Sequence, residues 1–126
     1  VEEARSYLGV PYELGGRSRN RIDCSGLTSR VLRDSLGVVL PRHSTDQRRW
    51  GVRVSQTSMT AGDLIFARWQ AANIPHVGWV AKGGAEPQVI HASQEAGKVV
   101  EENLSQFLEG YRFMGCKRLR PPTEKT

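Results

Sequence analysis

Asp23-Cys24-Ser25-Gly26-Leu27 puts a cysteine where a helix begins. Downstream, Leu27, Val31, Leu32 and Leu36 recur at helical spacing, and Gly37 is a stop signal. Upstream, Gly15-Gly16-Arg17-Ser18-Arg19-Asn20 reads as loop. Cys24 lies three and seven residues before Leu27 and Val31, so its sulfur shares the buried face of that helix. At a helix start the macrodipole favours thiolate over thiol. A lone cysteine there is either a reactive sulfur or a small residue filling the core. The choice between these turns on two histidines some fifty residues further on.

The chain has 126 residues, the size of one domain with a real core. No run of residues approaches the length of a membrane-spanning helix. Residues 1–8 read as a helix rather than a secretory signal, so none is expected within this stretch, and a start without methionine reads as a processed or excised domain. The net charge of +5 comes from 18 Lys and Arg against 13 Asp and Glu. The excess is scattered, over Arg17, Arg19 and Arg21, then Arg48, Arg49 and Arg53, then Lys117, Arg118 and Arg120. It is either a surface for an anionic polymer or a solvated exterior of no special purpose. No phosphate-binding glycine loop and no nucleic-acid module is present, so nucleic acid is not an expected partner.

Cys24 and Cys116 are too few for a disulfide framework and fit no zinc spacing. Cys116 falls in a closing strand and reads as structural, with a Cys24–Cys116 disulfide as the lesser alternative. Along the chain the order is helix, helix, short helix, then strands. The first helix covers residues 1–8, ended by Gly9 before Pro11. The third starts at Ser44, where Ser44-Thr45-Asp46-Gln47 has capping-box spacing. Strands are expected over residues 63–67, 76–81, 88–93, 99–102 and 112–119, with a helical turn over 104–108. This order predicts an α+β domain with an antiparallel sheet. Residues 121–126 read as a tail.

His76-Val77-Gly78 and Ile90-His91-Ala92 lie in neighbouring strands. A tight turn at Gly83-Gly84 would pair Lys82 with Ala85 and His76 with His91, their Cβ atoms roughly 5 Å apart on one face. Pro87 works against that register, and a slip of two residues would keep both rings on one face. Three uses fit two imidazoles and a helix-starting cysteine. They are nucleophilic catalysis, a Cys-His-His zinc site, and two unconnected buried histidines.

These segments together resemble the NlpC/P60 cysteine peptidases of bacterial cell-wall metabolism. The likeness extends through Gly9-Val10-Pro11-Tyr12 with Gly15-Gly16, through Leu40-Pro41-Arg42 with Ser44 and Gln47, and through Ala61-Gly62-Asp63-Leu64-Ile65-Phe66. It implies a papain-like core over residues 1–120, with the nucleophile helix packed on an antiparallel sheet of about five strands. It assigns Cys24 as nucleophile, His76 as general base and acid, and His91 as the orienting third member. Tyr12 would lie near the oxyanion, with the free Cys24 N–H as second donor. Asp23 and Ser25 match positions that hold a substrate's amino end, although Asp23 also suits a helix cap. His43 reads as surface or cleft rim. Departures from the family pattern are Leu14 before the paired glycines, Glu13 beside it, a polar insert over residues 67–75, and a long connection between His76 and His91.

The activity so implied is a cysteine endopeptidase cutting peptidoglycan stem peptides at the γ-D-glutamyl to diamino-acid bond, through a Cys24 thioester, without cofactor or metal. The alternatives are a catalytically silent wall-binding or phage-tail module and an amidase or acyltransferase of the same fold. The expected partner is peptidoglycan or its muropeptides, met outside the cytoplasm by a monomer with no membrane span. As housekeeping remodeller, phage lysin or interbacterial toxin, it would in the last case also meet an immunity or inhibitor protein.

Overall fold

Asp23 starts the principal helix, as the sequence pattern suggests. In a computed structural model, which describes residues 2–36, 47 and 51–118, its Oδ1 accepts the Gly26 N–H at 2.7 Å and its backbone carbonyl accepts the Leu27 N–H at 3.0 Å. That is a helix N-cap, satisfying one of the donors the first turn leaves open. Its Oδ2 accepts the Gly15 N–H at 2.9 Å, so the same carboxylate ties the preceding loop to the helix. Helix α2 (Cys24–Leu36) follows, with Leu27, Val31 and Leu32 buried on one side.

Helix α1 is shorter than expected, Glu2–Arg5, and gives way to turns before Gly9, which has φ 88°. The chain leaves the helix early because Gly9 and Val10 pair with Val99 across the molecule (Gly9 N–H to Val99 carbonyl and Val99 N–H to Val10 carbonyl, both 2.9 Å). Tyr12 N–H continues this pairing onto the Gly97 carbonyl at 2.8 Å. The expected helix from Ser44, along with Leu40-Pro41-Arg42 and His43, lies outside the described residues, as does the tail over 121–126.

The sheet has six strands rather than about five. They are β1 (Val52–Arg53), β2 (Leu64–Trp69), β3 (Ile74–Lys82), β4 (Gln88–Ser93), β5 (Lys98–Asn103) and β6 (Tyr111–Arg118), in the spatial order β1-β6-β2-β3-β4-β5 and antiparallel throughout. Strand β1 has two residues, paired to Arg118 and Lys117, too few to show a periodicity. The supposed insert over residues 67–75 is mostly strand. Trp69 pairs with Ile74 and with Tyr111, which carries the β2–β3 hairpin further out. Helix α3 (Leu104–Gly110) opens on a capping box, Asn103 accepting the Gln106 N–H while the Gln106 side chain accepts the Asn103 N–H.

Alternation along the strands builds two cores. Leu64, Phe66, Val77, Trp79, Ile90 and Ala92 face α2, whereas Ile65, Ala67, Val80 and Val89 face Leu104 and Phe107 of α3. Each fully buried aliphatic or aromatic side chain contributes about 1.5–3 kcal/mol of transfer free energy. The Gly83-Gly84 hairpin is not the tight turn of the sequence expectation. Trp79 pairs with Ile90 and Val80 with Val89, two residues out of the expected register, with a bulge before Lys82 pairs with Gln88. Pro87 has no N–H to give the ladder, so five residues, 83–87, make the connection.

Gly26 sets a tight constraint on the helix start, since a Cβ there would sit 2.4 Å from the Gly16 carbonyl oxygen and 2.8 Å from Asp23 Oδ1. Gly26→Ala is expected to cost about 1–3 kcal/mol through this overpacking, read as a lower urea midpoint at unchanged slope. An unchanged midpoint would show that the loop gives way freely.

Candidate active site

His76 and His91 are fully buried and meet edge-on, with Nε2 of His76 2.8 Å from Nδ1 of His91 and ring centroids 5.0 Å apart. The two-residue slip keeps both rings on one face, as parity requires. Gly78 makes room for the second ring, because a Cβ at 78 would come within 2.9 Å of His91 Cβ. Tyr111 stacks on His76 at 4.3 Å, and Phe107 meets His91 edge-on at 4.8 Å. Both rings therefore stand on the α3 side of the sheet.

Cys24 packs on the opposite side, among Leu27, Val31 and Val77. Val80 exchanges backbone bonds with Asp63 and Gly62 on the β2 side at 2.8 Å each, so alternation turns Val77 toward β4. The β3–β4 pairing runs no further than Trp79 and Ile90. The Val77 N–H left over points instead at the Cys24 sulfur, which also receives the N–H groups of Ser25 and Cys24 itself. The sulfur is thus held against the residue following His76. Since His76 Nε2 is engaged by His91, the ring's other nitrogen, Nδ1, is the one left; it is buried and has no hydrogen-bond partner among the described residues.

Tyr12 closes this side, its hydroxyl within the electrostatic reach of Cys24 and Asp23 and bonded to the Gln94 side chain. Gln94 also binds Tyr111, giving its N–H to the phenol oxygen and accepting the phenol O–H on Oε1, both at 3.1 Å. Asp23 and Ser25 are 5% exposed each, and both Asp23 oxygens serve the backbone amides of Gly15 and Gly26. The Ser25 carbonyl accepts from Thr28, Ser29 and the buried Gln47. Cys116 is free, like Cys24, and belongs to the other core, on the α3 side. Among the described residues no three His, Cys, Asp or Glu side chains are grouped to hold a metal ion.

One contact escaped the sequence reading. Glu102 Oε2 lies 2.5 Å from His91 Nε2. The β4–β5 register, His91 opposite Val100, puts Glu102 two residues on and on the same face. A register drawn through the turn at Gly97 would have found it.

The expected thiolate at the helix start is not the resting state. Burial pushes the Cys24 thiol up to about 11, and the charge of Asp23 adds to this, against the pull of the three amides. Burial, then the neighbouring His91, holds His76 well below 6.5. Sulfur and imidazole are therefore each neutral at rest. The macrodipole acts in the opposite sense but is the smaller effect inside a dry core.

Folding stability should consequently fall on both sides of a plateau between about pH 6.5 and 9. Below it, the unfolded histidine takes up a proton that folded His76 refuses. Above it, the unfolded thiol loses a proton that folded Cys24 keeps until about pH 11, a loss of about 3 kcal/mol. Cys116, raised to about 12 by burial, acts in the same sense. In urea titrations at pH 8 and pH 11, Cys24→Ala should lose less stability than the parent chain; equal losses would contradict the buried neutral thiol.

Residues 9–118 match the model of the NlpC/P60 family. A murein DD-endopeptidase and LD-carboxypeptidase of Escherichia coli, MepS, is 33% identical over 100 residues, 79% of this chain and 51% of the relative. A gamma-DL-glutamyl hydrolase of Bacillus subtilis is 34% identical over 120 residues, 94% of this chain and 28% of the relative. The chain thus spans about half, or less, of the length of these curated relatives. Among solved structures, the NlpC/p60 domain of the peptidoglycan hydrolase SagA superposes with a TM-score of 0.78 at 29% identity, covering 94% of each chain. A cysteine at a helix start, two imidazoles meeting edge-on at an antiparallel sheet and a match over nearly the whole length agree: the chain belongs to the NlpC/P60 family.

Proposed function

We propose that this chain is a cysteine endopeptidase that hydrolyses peptidoglycan stem peptides. The observation that carries the proposal is the unpartnered Nδ1 of buried His76, on a ring whose other nitrogen is engaged by His91, in the strand whose next amide reaches the Cys24 sulfur. In this reading His76 takes the thiol proton as Cys24 attacks the amide carbonyl, then delivers it to the leaving amine, and water hydrolyses the thioester. His91 orients the His76 ring. Tyr12 faces the developing oxyanion, and the backbone N–H of Cys24, turned to its own sulfur at rest, serves as second donor once the sulfur has attacked.

The bond proposed is the one between γ-D-glutamate and the diamino acid. The B. subtilis relative, aligned over 94% of this chain and named for a γ-glutamyl bond, supports it. So does the buried charge of Asp23, one residue from the nucleophile and beside Ser25, which would act at short range on the free amino end of a short stem peptide. Such a substrate implies work outside the cytoplasm, and among the described residues no helix is long and apolar enough to cross a membrane.

The proposal is tested by mass analysis of purified muropeptides after digestion. Cleavage should leave fragments ending in D-glutamate, whereas separation of cross-linked pairs without such fragments would reject the bond. Cys24→Ala should abolish turnover and keep the fold; full turnover would reject the nucleophile. His76→Ala should lower kcat/KM by about 10²–10⁴-fold and His91→Ala by less, the reverse order overturning their roles.

A further inference from the structure

Behind the imidazole pair stands a carboxylate that the three-residue scheme does not use. Glu102 Oε2, His91 Nε2, His91 Nδ1 and His76 Nε2 form an unbroken line of contacts at 2.5 and 2.8 Å. A neutral imidazole has one N–H and one lone pair, so each contact dictates the next. A glutamate carboxylate accepts and does not donate, which puts the His91 proton on Nε2. His91 Nδ1 is then an acceptor, and the His76 proton sits on Nε2 to meet it. That leaves a bare lone pair on His76 Nδ1, the buried atom without a partner.

We propose that Glu102 is a positioning residue that sets the tautomers of both imidazoles, so that His76 offers an unprotonated Nδ1 to the Cys24 thiol. The chain of protons rests on the reading of Cys24 and His76 given above. In the transfer itself the S–H bond breaks, its electron pair stays on sulfur, and a new N–H bond forms at Nδ1. Neither of the other two protons moves. The resulting imidazolium keeps its Nε2–H on His91, with the charge of Glu102 aligned behind.

No other charged side chain among the described residues bonds to this line. From α3 the pair is faced by Phe107, and from β6 by Tyr111, whose hydroxyl is held by Gln94. Glu95, which lines the same recess as Glu102, accepts the Trp69 Nε1–H at 3.1 Å. Glu102 itself is 26% exposed in side chain and lines a recess of about 350 Å³ with Glu95 and Tyr111, so water reaches it while the rings stay dry. A protonated Glu102 donating to His91 would reverse both tautomers and put a proton on Nδ1, in front of the thiol.

The two arrangements differ in a spectrum that needs no substrate. With histidines labelled in ¹⁵N, the parent chain should show His76 and His91 as Nε2–H tautomers. Glu102→Gln, nearly the same shape but able either to accept or to donate, should bring up the Nδ1–H form of His76. It should also lower kcat about 10-fold or more with KM within about twofold, and Glu102→Leu should lower it further, to about 100-fold. Alkylation of Cys24 by iodoacetamide should slow in the same order. An Nδ1–H tautomer of His76 in the parent chain would overturn the proposal, as would unchanged tautomers and kcat in a folded Glu102→Gln. If the parent chain cleaved no muropeptide, the peptidase reading would fail on its own, and the tautomers and alkylation rates would still decide the part played by Glu102.

Discussion

Both oxygens of Asp23 are committed to backbone amides, and the placement of α2 depends on that. One oxygen starts α2 at Cys24; the other draws in the loop at Gly15. Glycines at 16 and 26 make the approach possible, since a side chain at 26 would run into the Gly16 carbonyl. The loop in turn hands the chain to segment 9–12, which pairs along β5, so one buried carboxylate links helix, loop and sheet edge. A cap of this kind is worth about 1 kcal/mol in isolation. Its larger effect here is to start the helix at Cys24, whose sulfur then takes the Val77 amide.

That contact lies at a flaw in the sheet. Where β3 and β4 cease to pair, an amide is freed, and the Val77 N–H turns to the Cys24 sulfur. The surroundings are apolar, so neither the Cys24 thiol nor the His76 imidazole holds charge at rest. In the proposed reaction charge separation awaits the substrate, with the amides around the sulfur and the groups behind His76 already oriented.

Much of this was legible in the chain. Helical spacing after Cys24, alternation through residues 76–81 and 88–93, and the turn over 104–108 all report on local burial, which periodicity records faithfully. The shared face of His76 and His91 survived a misjudged register because parity is insensitive to a slip of two. What escaped was whatever depends on contacts distant in sequence. Trp69 extends β2 because Ile74 and Tyr111 flank it, Val52 and Arg53 become a strand only beside β6, and Glu102 reaches His91 across the β4–β5 hairpin. The protonation of Cys24 was misjudged for a similar reason. The helix dipole is visible in a sequence, whereas the depth of burial that outweighs it is a property of the assembled core.

A sulfur kept as thiol is also a poor target. Peroxides, disulfides and most electrophiles react with thiolate, at rates that follow its fraction and its accessibility. Cys24, 7% exposed and with its thiol raised to about 11, presents little of either. The same burial that delays its ionisation would slow the oxidation of this sulfur wherever the surroundings are oxidising.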